Sequence, residues 1–187
     1  LNTLYQAKLA QERVVAANAA PALNGKKIAE LVKGDLVTSK NGILSVVNDQ
    51  TFEQKKLIGL FFAGNWCPSC RKFTPELVQY YNRVAAAHPE LEVVFVSSDR
   101  SASAMEKYMR DSNMPWPAVK YEKIAEKEEL KKYAGSGIPC LVLVDASGRV
   151  LSDSYAGKTY LGPSKVLRDL DHLFAGGTPT AAPVAQR

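Results

Sequence analysis

Two of the three cysteines, Cys67 and Cys70, stand three residues apart in Trp66-Cys67-Pro68-Ser69-Cys70. Thiols at that spacing can close a disulfide and reopen it, one attacking and the other resolving. Their surroundings favour such use. The apolar run Leu57 to Ala63 breaks at Gly64-Asn65 ahead of the pair, and Phe73, Leu77, Tyr80, Tyr81 and Val84 recur after it at helical spacing. That pattern predicts a buried strand, a turn and a helix, with Cys67 in the helix's first turn. Unpaired N–H groups there favour thiolate over thiol, so Cys67 is the expected nucleophile. Cys70, one turn on, is expected to be more buried, protonated and placed to resolve a mixed disulfide. Pro68 is tolerated in the first turn and stiffens the loop. Three bland alternatives exist: two chance core residues, a static disulfide, or half of a zinc site. The last needs further ligands, and only Cys140, His88 and His172 remain, widely scattered. No metal and no cofactor beyond the cysteine pair is therefore expected.

The rest of the composition limits the options. With 187 residues, 46% hydrophobic and 23% charged, the chain can bury a real core and does not need cross-links to fold. An odd number of cysteines cannot form a closed disulfide framework. The net charge of +5 is spread along the sequence in short pairs such as Lys26-Lys27 and Lys131-Lys132, so a nucleic-acid partner is not expected. No stretch approaches the roughly 20 apolar residues that span a bilayer. The first residue is Leu1, and neither a basic segment nor an apolar signal core follows it.

The elements that must position the thiols read in order. Residues 1–30 are expected to be a helical extension, with Leu4, Leu9 and Val14-Val15 near helical spacing up to Pro21. Asp35 to Val47 reads as a hairpin turning at Asn41-Gly42. The strand from Leu57 and the dithiol helix follow, the helix reaching about Ala87 with Pro75 expected to kink it. Leu91 to Val96 is a second buried strand, ending at Ser97-Ser98-Asp99. A helix is expected over Ser101 to Ser112, then a loop through Pro115-Trp116-Pro117 and a short strand near Val119. Ile124 to Tyr133 reads as one charged helix. A strand at Leu141 to Val144, a turn at Ser147-Gly148, a partner strand at Arg149 to Ser152 and a helix over Pro163 to Phe174 complete the core. Residues 175–187 are expected to be a disordered tail, leaving 31–174 as one domain. Interleaved strands and helices imply an α/β fold, a three-layer α/β/α sandwich on one central mixed sheet.

Four pieces in register, WCPSCRKFTPEL (Trp66 to Leu77), FVSSDRS (Phe95 to Ser101), MPWPAVKYE (Met114 to Glu122) and GIPCLVLVDASGRV (Gly137 to Val150), resemble the thioredoxin superfamily, and within it the tryparedoxin and nucleoredoxin branch. The resemblance implies a thioredoxin fold with Cys67 attacking and Cys70 resolving. It implies that Pro139 is a cis-proline, that Ile138 pairs its backbone with an extended substrate, and that Trp66 borders the exposed sulfur. It also places Trp116 near the active-site face, where core packing under the Pro-rich loop is the competing reading. Three positions depart from the pattern. Phe61 stands where thioredoxin has a buried Asp, Ser69 where this branch often has a second proline, and Cys140 where Thr is common. Cys140 is either a small buried strand residue or a third thiol near the site.

Two classes of function follow. One is an enzyme, a thiol–disulfide oxidoreductase that reduces protein disulfides through a Cys67–Cys70 cycle. The other is a thioredoxin-fold binding or maturation adaptor in which redox cycling is secondary. A peroxidase is weaker, for want of a separate peroxidatic cysteine. Expected partners are disulfide-containing clients or small disulfides and an upstream reductase, with a monomer expected. The non-Met start and Ala/Pro-rich ends favour an exported or periplasmic protein over a cytoplasmic one.

Overall fold

The computed structural model describes residues 27–40 and 42–178. The expected N-terminal helix and the tail beyond residue 178 lie outside them.

A single seven-stranded sheet carries the fold, in the order β2-β1-β5-β4-β3-β6-β7. Its strands are β1 (Leu36–Lys40), β2 (Ile43–Val46), β3 (Leu57–Ala63), β4 (Leu91–Ser97), β5 (Ala118–Val119), β6 (Cys140–Asp145) and β7 (Val150–Asp153). β3 lies parallel to β4 and antiparallel to β6, with Phe61 opposite Phe95 and Leu141, and Phe62 opposite Cys140. The loop after β3, the loop after β4 and the loop before β6 therefore meet at one end of the sheet. Seven helices accompany it among the described residues: α1 (Ile28–Val32), α2 (Asp49–Glu53), α3 (Pro68–Val84), α4 (Ala102–Asp111), α5 (Tyr121–Ile124), α6 (Glu128–Lys131) and α7 (Ser164–Phe174).

Side chains alternate across the sheet, so the central strands divide the core in two. Phe61, Ala63, Phe95, Leu141 and Leu143 point to the layer closed by α3, α4 and α7. Ile58, Leu60, Phe62, Val94, Cys140, Val142 and Val144 point to the other, closed by Ile28, Phe52, Leu130 and Tyr133. This two-sided burial is why β3 and β6 are continuously apolar.

Several boundaries differ from the sequence reading. The predicted helix Ile124 to Tyr133 is two short helices, α5 and α6, separated at Lys127, whose φ −90 and ψ 57 are not helical. Lys127 ion-pairs with Asp35 across the fold (2.5 Å), a tertiary contact that local spacing cannot announce. The polar stretch after β2 holds α2, started by Asn48, whose side chain accepts the Gln50 N–H. A small second sheet, β8 (Tyr155–Ala156) and β9 (Thr159–Tyr160), follows β7 and turns through Gly157 at φ 60. Ser154 anchors it: its buried hydroxyl accepts the Leu141 N–H (2.8 Å) and donates to the Leu141 carbonyl (2.9 Å).

Candidate active site

Cys67 is the N-cap of α3 and Pro68 its first residue. The Cys67 sulfur accepts the Cys70 N–H at 3.4 Å, one of the donors that a helix start leaves without an intrahelical partner. Its thiol also faces the Ile138 carbonyl at 3.6 Å, within reach of a weak S–H···O contact. Cys67 is 7% exposed and Cys70 not at all, so an incoming sulfur can reach only the first thiol.

Burial is the main reason the Cys70 thiol holds its proton well above the ordinary value of 9.0. A hydrogen bond with Cys67 and repulsion from Cys67 and Asp99 act in the same direction, while the Gly64 backbone opposes them. The floor beneath is apolar where thioredoxin has its carboxylate. Phe61 is fully buried, with ring centroids 5.9 Å from Phe73, 5.9 Å from Phe95 and 6.2 Å from Trp116.

Polar support comes from residues not singled out in the sequence. Thr74 donates its hydroxyl to the Cys70 carbonyl at 2.9 Å and contacts the Tyr108 hydroxyl at 2.5 Å. A hydroxyl has one proton, so Tyr108 is the donor in the second bond. The i, i+4 spacing of Cys70 and Thr74 on one helix face was the available signal for Thr74. Asp99, nearly buried, accepts the Asn65 N–H (2.7 Å) and the Ser97 hydroxyl (2.8 Å), tying the loop before Cys67 to the end of β4. Ser97-x-Asp99 at a strand end hinted at such a turn.

Trp66 is 54% exposed and lies beside Cys67 in sequence, its indole N–H donated to the Ser98 carbonyl at 2.9 Å. Only glycine fits beneath it, since a Cβ on Gly64 would sit 2.7 Å from the indole nitrogen. A cavity of about 540 Å³ borders the indole, lined by Asn65, Trp66, Arg71, Asp99, Arg100 and Ala104. Arg71 hydrogen-bonds the Asn65 carbonyl there at 2.5 Å.

The Ile138-Pro139 peptide bond is cis. Trp116, expected to share the substrate-facing surface, does not reach it. It is wholly buried, edge-on to Phe61 and Tyr81, because the loop carrying it folds under the sheet's end. Cys140 is likewise 0% exposed and belongs to the core layer on the opposite face of the sheet from Cys67 and Cys70. Adjacent strand residues point to opposite faces, so Leu141, not Cys140, faces the dithiol layer. Among the described residues no three His, Cys, Asp or Glu side chains gather as a metal site, and no helix is long and apolar enough to cross a membrane.

A strand-delivered Cys-x-x-Cys at a helix start, opposite a cis-proline loop, is the site arrangement of a thioredoxin-fold protein. Comparison with known proteins agrees: a sequence family described as thioredoxin-like matches residues 54–150. The chain belongs to that family, within its nucleoredoxin and tryparedoxin branch. It is 35% identical over 147 residues to nucleoredoxin of Danio rerio and 34% identical over 151 residues to that of Homo sapiens. Each alignment covers 78% of this chain but 32% and 31% of the relative, so the chain spans about a third of their length. Among solved structures, tryparedoxin II from C. fasciculata superposes with a TM-score of 0.64 at 25% identity, covering 87% of this chain and 99% of that one. Thioredoxin from Wuchereria bancrofti gives 0.58 at 30% identity, covering 79% and 98%. These relatives overturn the expectation of an exported or periplasmic protein, since the curated matches are nucleoredoxins of animals and plants.

Proposed function

We propose that the protein reduces disulfides of client proteins by cycling Cys67 and Cys70 between dithiol and disulfide. The observation that carries this reading is the pair of contacts at the Cys67 sulfur: the Cys70 N–H at 3.4 Å and the Ile138 carbonyl at 3.6 Å. The first fixes the Cys67 sulfur over the start of α3. The second sets the Ile138 backbone beside that sulfur, which supports pairing of an extended client segment there.

The Cys67 thiolate attacks one client sulfur. A Cys67–client S–S bond forms, the client's own S–S bond breaks, and its second sulfur leaves as a thiolate that takes up a proton. Cys70 then attacks the Cys67 sulfur as its proton passes to the departing client sulfur; the Cys67–client bond breaks, the Cys67–Cys70 disulfide forms and the reduced client leaves. Two electrons have passed to the client. An upstream dithiol reductase supplies two electrons and two protons to restore the pair. Burial of Cys70 keeps it protonated in the resting state, so the first attack falls to Cys67. Trp66, Pro68, Ile138 and Pro139 frame the approach of the client.

With dithiothreitol as donor, the reduced protein is expected to reduce insulin, and Cys67→Ser to lose this activity down to the rate of dithiothreitol alone. Retained turnover in that variant overturns the assignment. Cys70→Ser is expected to accumulate client mixed disulfides on Cys67, visible by mass under non-reducing conditions. Their absence after mild oxidation overturns the resolving role.

A further inference from the structure

The small hairpin β8–β9 lies against the loop that leads into the cis-proline and contacts it at several points. Tyr155 at its start lays its ring over Gly135, where a Cβ would sit 2.2 Å from the ring, and its hydroxyl reaches the Gly137 carbonyl at 3.5 Å. Ser136 donates to the same hydroxyl at 3.3 Å. Tyr160 at the hairpin's end donates its hydroxyl to the Pro139 carbonyl at 2.7 Å, and its ring packs on Tyr155 with centroids 5.0 Å apart. The base of the hairpin is closed by Leu161 and Gly162 N–H groups on the Ser154 carbonyl, and Ser154 is itself bonded to Leu141 in β6. Thus the residues on both sides of Ile138 are held from outside the sheet by one two-tyrosine brace.

We propose that Tyr160 is a positioning residue for client binding: by holding the Pro139 carbonyl, it fixes the backbone of Ile138 against which an extended client segment pairs beside Cys67. The inference rests on the disulfide-reductase reading. Three observations support it. The hydroxyl bond is short and directed, and proline offers no N–H through which its own backbone could be tied to a neighbour. The carbonyl of the preceding residue already faces the nucleophile. Tyr160 is 47% exposed, so its end of the brace stands at the surface, where a client can meet it, while Tyr155 is rooted in the core.

The test compares a protein disulfide with one that has no peptide backbone. Tyr160→Phe keeps the ring and removes only the hydroxyl. Its KM for insulin is expected to rise about 3- to 10-fold with kcat little changed, the weight of about one hydrogen bond. Its turnover of 2-hydroxyethyl disulfide, which cannot pair with Ile138, is expected to match the unsubstituted protein. A peptide disulfide N-methylated beside its cysteine supplies the second readout. Methylation is expected to penalise the unsubstituted protein more than Tyr160→Phe, because the variant has already lost part of that pairing. Equal losses on both disulfides indicate general loosening and overturn the proposal, as does unchanged KM for insulin. Cys67→Ser loses both disulfides where Tyr160→Phe loses one, so failure of the underlying reading is separable from failure of this one.

Discussion

At the scale of single residues, the dithiol rests on a pair of hydrogen-bonded hydroxyls. Thr74 and Tyr108 form a buried chain ending on the Cys70 carbonyl, in a layer otherwise lined by Phe61, Phe73 and Phe95. Removing one member of such a chain strands the other. Thr74→Val is expected to destabilise the protein by about 1–3 kcal/mol by urea denaturation, because the Tyr108 hydroxyl then lacks its partner. Adding Tyr108→Phe to that variant is expected to recover most of the loss, since removing both partners of a buried bond can be nearly neutral. A double variant as unstable as the sum of the singles would contradict the pairing.

At the scale of elements, the dithiol helix and its strand were legible because their signals are local: an apolar run, a Gly-Asn break and a helical stripe with Pro68 at its start. The helix expected from Ser101 starts there as α4, although its cap is Ser101 itself, accepting the Ala104 N–H, and not the polar Ser97-Ser98-Asp99 at the end of β4. The brace hairpin was not. Its strands are two residues each, and what defines them is contact between Tyr155, Gly135 and Gly137, 18 to 20 positions away in the chain. Cys140 shows a different limit. Its closeness in sequence to Pro139 suggested closeness to Cys67, but strand alternation turns its side chain to the other face. For Trp116 the sequence allows surface or core, and the structure packs it in the core against Phe61 and Tyr81. The steric fit of hairpin to loop carries its own prediction. Gly135→Ala is expected to force Tyr155 off the loop, costing about 1–3 kcal/mol as overpacking does and slowing insulin reduction. An unchanged denaturation midpoint together with unchanged turnover would mean that the loop yields freely.

At the scale of the whole molecule, burial sets the response to alkali. The Cys70 thiol and the hydroxyls of Tyr80, Tyr81 and Tyr108 are all raised above their ordinary values, chiefly by burial, and Tyr133 is pushed up to about 12. Below pH 9.0 these groups carry the same protons folded and unfolded, so their contribution is fully present. Above it the unfolded chain releases the Cys70 proton, and above pH 10.0 the tyrosine protons, while the folded state retains them. The unfolded state then binds fewer protons, and stability falls as pH rises towards and beyond about 12. Denaturation of the reduced protein followed from ~pH 8 to ~pH 11 is expected to show a plateau and then a decline. Cys70→Ala is expected to make the decline between about pH 9 and about pH 10 shallower. A flat profile would show that burial imposes no penalty on these groups.

The pairing of Phe62 with Cys140 ties two functions to one piece of scaffold. The chain runs five residues from Phe62 to the attacking sulfur of Cys67, and one residue from Cys140 to the cis-proline. Cys67 and the cis-proline are therefore both cantilevered from one rung of the same hydrogen-bonded ladder. A displacement of that rung therefore moves Cys67 and Pro139 together.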